Sequence, residues 1–264
     1  MKETLKIVLE SDADVPIPYL TCQLMALLES RTGISDFYES EKTTYNQLLL
    51  SKEADITAKT AASADPLLAA LQFAMAGNFI DFGAFKTVSS DEVLSVLDCT
   101  EDAKIDPDTY AAFCNDLENA SSLAYLADNA GEIVLDKLFV SVLKQFYPRL
   151  EVRFFVRGLP TLNDVTMHDA VEVGLDRITQ IYTNGKAIPG TCLEYMDSDT
   201  AQLIKGADIV ISKGQGNFES MNGTGLNTYY ILLCKCSYFA RRLNLERCEG
   251  IFINEKDVEE YSYI

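Results

Sequence analysis

From about residue 120 onward the chain alternates short apolar runs with stretches of helical periodicity, and this rhythm constrains the fold more than any other feature. The runs are Leu123–Leu126, Val152–Val156, Ile178–Tyr182, Ile209–Ile211, Tyr229–Leu233 and Ile251–Ile253. Between the first two, Ile133, Val134, Leu138, Val142, Leu143 and Phe146 recur at helical spacing, with Asp136, Lys137 and Lys144 on the polar side. Strands joined through helices pair in parallel, because the crossover returns the chain to the same edge. The predicted class is therefore α/β: a doubly wound, largely parallel sheet in a Rossmann-like three-layer arrangement.

Before residue 120 the pattern is helical. Asp65-Pro66 and Asp106-Pro107 read as N-cap and first-turn pairs, the first opening an apolar helix from Pro66 to about Met75. A loop bounded by Gly77 and Gly83 should follow it. Thr166 and Asp169 have capping-box spacing, and Ser198 and Gly206 bracket a further helix. This divides the chain into a helical N-terminal region, residues 1–120, and an α/β region, residues 121–264.

With 48% hydrophobic residues, 13 Phe and 13 Tyr, the chain has material for a substantial core. Its 40 acidic residues against 22 basic ones give a net charge of -18, which repels nucleic acid and anionic membranes and favours a small ligand as partner. A phosphorylated ligand would then need a local cation. The N-terminus lacks the pattern of an export signal, and no apolar run approaches the roughly eighteen residues of a membrane span. Seven scattered cysteines suit a reducing, cytoplasmic setting better than a disulfide framework.

Open α/β sheets bind ligands where strands end at their carboxyl edge. The first strand ends in Asp128, Asn129, Ala130, Gly131 and Glu132. Asp128 offers a carboxylate and Asn129 an amide carbonyl, both suited to a hard divalent cation, while Gly131 permits a tight turn. Asp164 follows Asp128 by 36 residues, the length of one strand-helix-strand unit, so both acids can meet at one edge. A later strand runs into Lys213-Gly214-Gln215-Gly216-Asn217, where backbone N–H groups, the Lys213 charge and the Asn217 amide can face a phosphate. It lacks the spacing of a nucleotide-hydrolysing P-loop. Each cluster also has a plain reading, a turn or a glycine-rich connection, and the case for a site rests on their convergence at one rim.

His168, the sole histidine, reads as an exposed first-turn residue, which leaves no Ser-His-Asp hydrolase. Cys234 and Cys236 read as core packing, and Asn222-Gly223-Thr224-Gly225 is too short for a dinucleotide site.

These segments resemble the metal-dependent damage-control phosphatases first grouped as domain of unknown function 89, and look most like their stand-alone prokaryotic branch. The resemblance rests on Asp65-Pro66, Ala76 to Gly83, Asp128 to Glu132, Gly158 to Thr166, Asn184-Gly185, Pro189 to Thr191 and Ser212 to Glu219. It implies that Asp128, Asn129 and Asp164 bind a divalent ion (Mn, Co, Ni or Mg), that Lys213 lies at the substrate phosphate, and that the substrates are sugar phosphates or related damaged or misplaced esters. In this reading Asp128, Asp164 and Lys213 are catalytic, and Asn78, Gly131, Gly214, Gly216 and Asn217 join Lys213 in binding substrate. Asn78 and Asp81 are placed to approach from the helical region. The chain departs from that branch in one place: no Cys-x-x-Cys opens the first helices, since Cys22 is followed by Gln23-Leu24-Met25. The rival readings are an S-adenosylmethionine-dependent carboxyl methyltransferase and a noncatalytic metabolite-binding protein.

Overall fold

The computed structural model describes residues 2–12, 14–78, 105–233 and 250–258. Five helices come first: α1 (Lys2–Glu10), α2 (Ile17–Thr32), α3 (Glu39–Leu50), α4 (Glu53–Ala62) and α5 (Pro66–Gly77). Next is α6 (Pro107–Asn119), then β1 (Ser122–Leu126), α7 (Ile133–Phe146), β2 (Glu151–Val156), α8 (Met167–Glu172) and β3 (Gln180–Thr183). The remainder is α9 (Ser198–Lys205), β4 (Ile209–Lys213), α10 (Gly214–Met221), β5 (Thr228–Leu233) and β6 (Gly250–Asn254). The Phe79–Gly83 loop, Asp81, Cys234 and Cys236 lie outside the described residues. No described helix is long and apolar enough to cross a membrane.

Both Asp-Pro expectations hold. The Asp65 carboxylate accepts from Leu68 N–H and that of Asp106 from Thr109 N–H, satisfying orphan donors of the first turn. The Thr166 capping box is present in full. At α9 the cap is Asp197, one residue before the expected Ser198, because its carboxylate reaches the N–H groups of both Asp199 and Thr200.

The six strands among the described residues form one sheet in the order β3-β2-β1-β4-β5-β6. All pairs are parallel except β5 with β6, so the sheet is largely but not wholly parallel. Successive side chains of β1 enter opposite faces: Leu123 and Tyr125 join one apolar cluster, Ala124 and Leu126 the other. Helices α3 to α7 contribute to the first cluster, and α9 and α10 to the second, so both faces are covered as a parallel sheet requires.

The strand order positions the site. From β1 the chain moves outward to β2 and β3, then returns to the other side of β1 for β4 and β5. The carboxyl ends of β1 and β4 thus flank the point where the winding reverses, the usual ligand crevice of such sheets.

A buried acid cluster at the candidate site

Two residues past β1 the chain meets the segment that follows β2. Val165 N–H donates to Asp128 O at 2.8 Å and Ala130 N–H to Asn163 O at 2.9 Å, forming an antiparallel bridge in which Asn129 lies opposite Asp164. Arg157 N–H donates to Val165 O at 2.8 Å, so the loop folds back over the strand that launched it. Within it Leu162 has φ 45°, the one positive-φ residue other than glycine among those described. A left-handed leucine costs about a kcal/mol or more and persists only where its surroundings enforce it.

This bridge places Asp128, Asn129 and Asp164 together, with 8%, 3% and 3% exposure. Arg157, at the end of β2, was not singled out in the sequence. Its Nε donates to Asp164 Oδ2 at 2.6 Å, Nη1 donates to Asn217 Oδ1 at 3.4 Å, and Nη2 stands 3.9 Å from Asp128 Oδ1 without a hydrogen-bond partner. Glu132, also unassigned, is fully buried and accepts from Asn78 Nδ2 at 3.1 Å, Asn129 Nδ2 at 3.2 Å and Lys213 Nζ at 2.6 Å. Asn78 Nδ2 also donates to Asp128 Oδ2 at 3.2 Å, and Asn78 Oδ1 accepts from Leu233 N–H. The helical region therefore reaches the cluster through Asn78.

Lys213 is placed differently from the sequence expectation. Its ammonium is wholly buried and donates to Ala74 O at 2.8 Å, Asp136 Oδ1 at 2.6 Å and Glu132 Oε1 at 2.6 Å. An ammonium has three N–H bonds, and three acceptors occupy them. Burial alone would lower its pKa, but the charges of Asp136 and Glu132 outweigh that and hold it above the usual lysine value. Asp136 is pushed up to about 6, chiefly by burial and further by Glu132, against the opposing pull of Lys213 and the hydrogen bond from Tyr125. One ammonium serves two carboxyl groups here.

Asn217, Gly131 and Gly216, expected at the substrate, also make internal contacts. Asn217 donates to Ala127 O at 2.9 Å and Lys213 O at 2.7 Å, and accepts from Thr191 Oγ1 at 2.8 Å, so its amide ties α10 to β1 and to the 189–191 loop. Gly131, with φ 82°, makes the expected tight turn, but its N–H donates to Asn46 Oδ1 at 2.7 Å. A Cβ on Gly216 would meet Pro189 O at 2.2 Å, so this glycine serves the packing of that loop.

Gly214 borders the cluster directly. It has φ 79°, and a Cβ there would lie 1.9 Å from Asp128 Oδ2. Asp128 thus sits against the first residue of α10, where the helix dipole favours negative charge. Gly214→Ala should displace the Asp128 carboxylate and strain the turn. The expected result is a loss of about 1–3 kcal/mol in urea unfolding, measured against wild type with far-UV circular dichroism as the folding control.

The donor set fits a hard cation. Asp128, Glu132, Asp136 and Asp164 are gathered with Arg157 and Lys213, leaving an excess of two negative charges when all six are ionised. Buried carboxylates in excess are costly unless a charge compensates them, and a divalent ion on two carboxylates and an amide oxygen does so. A second group, His168, Asp169 and Glu172, has ligand atoms within 4.8 Å of one another. There, however, Asp169 accepts from Thr166, Lys42 and Asn46, and Glu172 from Asn46, while His168 is exposed in the first turn of α8.

Comparison with known proteins agrees with this fold. Residues 1–250 match the family model described as the damage-control phosphatase ARMT1-like domain. An uncharacterized protein of Methanocaldococcus jannaschii is 32% identical over 68% of this chain and 60% of its own length. A damage-control phosphatase of Archaeoglobus fulgidus is 29% identical over 92% of the chain and 84% of its own length. A damage-control phosphatase of Pyrococcus horikoshii is 26% identical over 67% of the chain, which spans 61% of that relative. In three dimensions, the crystal structure of a domain-of-unknown-function-89 protein from P. horikoshii superposes with a TM-score of 0.84 at 22% identity, covering 96% of this chain and 88% of the other. The matched span takes in every element of the acid cluster, and the chain belongs to the damage-control phosphatase ARMT1-like family.

Proposed function

We propose that this chain is a metal-dependent phosphatase that hydrolyses small phosphorylated metabolites, with Asp128, Asn129 and Asp164 as the residues that would hold the divalent ion. The observation that carries the reading is the bridge between Asn129 and Asp164, which gathers two carboxylates and an amide at the reversal point of the sheet. The two archaeal relatives described as damage-control phosphatases support hydrolysis over methyl transfer. Bound there, the ion would supply Lewis-acid polarisation of a phosphoryl oxygen.

The chain's own groups account for the rest. Arg157 fixes the Asp164 carboxylate through Nε and keeps positive charge beside Asp128. The first turn of α10, opening at Gly214, lends its dipole to an anion at the same crevice. Asp128 and Asp164 are the carboxylates placed to orient a water or take its proton. Lys213 supports the cluster from beneath by neutralising Glu132 and Asp136, and the reading assigns it no phosphate contact. Sugar phosphates and related damaged esters are the proposed substrate class, and manganese, cobalt, nickel and magnesium the candidate ions.

The test is a release assay for inorganic phosphate crossing sugar and cofactor phosphates with these four ions after chelator treatment. Release that requires an added ion is expected. Undiminished release in chelator, or none on any ester with any ion, would contradict the reading.

A further inference from the structure

We infer that Glu132 is a positioning residue that fixes which end of the Asn129 amide faces the ion, an inference that rests on the metal reading above. An asparagine amide has a donor end and an acceptor end of nearly equal shape, and only the oxygen end can ligate a cation. Nothing intrinsic to the side chain selects between them, so its neighbours must.

Here the selection is made by carboxylates. Asn129 Nδ2 donates to Asp128 Oδ2 at 2.7 Å and to Glu132 Oε2 at 3.2 Å, which uses both of its N–H bonds. Reversing the amide would set its carbonyl oxygen against two carboxylate oxygens, acceptor on acceptor. Glu132 is itself held: Lys213 donates to Oε1 at 2.6 Å, and Asn78 Nδ2 reaches both oxygens at 3.3 and 3.1 Å. Lys213 is in turn anchored by Asp136, which accepts from the Tyr125 hydroxyl at 2.6 Å. A continuous chain of contacts therefore runs from the core of the sheet to one amide at its rim. Full burial of Glu132, Asp136 and Lys213 keeps water from relaxing it.

This chain explains why an acid, rather than any polar residue, stands at 132. In Glu132→Gln the lysine would keep the carbonyl oxygen at the Oε1 position, since it has only donors to offer. The new NH2 group would then face Asn129 Nδ2, donor against donor. Asp128 alone would then hold the Asn129 nitrogen, so the orientation that presents oxygen to the ion loses one of its two anchors. Partners of this kind, one step removed from the metal, typically cost 10–100-fold in affinity when lost.

The experiment is titration of the full-length, chelator-treated protein with Mn2+, following free Mn2+ by electron paramagnetic resonance. Glu132→Gln should raise the Kd about 10- to 100-fold. Glu132→Asp keeps the charge but withdraws the carboxylate by one methylene, and should also weaken binding. In an Asn129→Asp background, where position 129 has no donor end to misdirect, Glu132→Gln should leave the Kd unchanged or lower it. Unchanged affinity in both single variants would overturn the inference. Equal weakening by Glu132→Gln in both backgrounds would show that Glu132 acts by charge alone, and overturn it too. A wild-type protein that binds no Mn2+ defeats the metal reading itself, and is recognised before any substitution is made.

Discussion

Asp128→Ala should reduce metal-stimulated phosphate release by about 10²- to 10³-fold or more while leaving far-UV circular dichroism unchanged. The carboxylate is one of four acids gathered at the reversal point of the sheet, and it lies against Gly214 with almost no space between them. Removing it deletes a ligand and lowers the negative charge that attracts a cation. The Asn78 and Asn129 amides that donate to Asp128 both keep Glu132 as an acceptor. Metal-free stability should therefore hold. His168→Ala should leave release near the wild-type level. A harmless Asp128→Ala with an inactive His168→Ala would move the centre to the group formed by His168, Asp169 and Glu172.

Lys213→Ala should act on stability first. Two buried acids, Glu132 and Asp136, lose the ammonium between them, and breaking a buried pair from one side costs about 3–5 kcal/mol. The loss should depend on pH. Asp136 stands at about 6 in the folded protein, above its value in the unfolded chain. A carboxyl group raised on folding contributes stability that is full below its unfolded pKa and lost as pH rises through the folded one. Without Lys213 the folded value climbs further, so the variant should be more stable at pH 5 than at pH 8, by a wider margin than wild type. Urea unfolding at both pH values, in chelator, measures this. A variant as stable as wild type with only a raised KM would return Lys213 to the phosphate.

The contrast between Lys213 and the strands shows what a sequence carries locally. All six strands were legible because apolar runs bounded by polar residues report burial directly. The third was displaced, from Ile178–Tyr182 to Gln180–Thr183, because the N–H groups of Ile178 and Thr179 donate back to Leu175 O and close the 3-10 turn at Leu175–Arg177. The Asp-Pro caps were legible because a cap is completed within a few residues.

The site was legible only as far as its local signals reached. Asp128, Asn129 and Asp164 stood at strand ends, where topology places ligands. The bridge that sets Asn129 opposite Asp164 leaves no periodic trace, since a single antiparallel pair has no period. Lys213 among glycines suggested a phosphate loop, but its partners come from distant elements: the carbonyl of Ala74 in α5 and the acids Glu132 and Asp136 at the start of α7. Arg157 escaped notice because an arginine at a strand end reads as solvated, and only the fold-back of the 163–166 segment buries it. Its position after Phe154-Phe155-Val156 and before Gly158 was the one available signal.

The central claim is that a divalent ion sits between Asp128, Asn129 and Asp164. Anomalous diffraction from crystals soaked in Mn2+ tests it most directly. The account expects one strong peak at about 2 to 2.5 Å from oxygens of all three side chains, lost in Asp164→Ala crystals. A peak confined to His168, Asp169 and Glu172, or density at the three residues that persists in that variant, would contradict it.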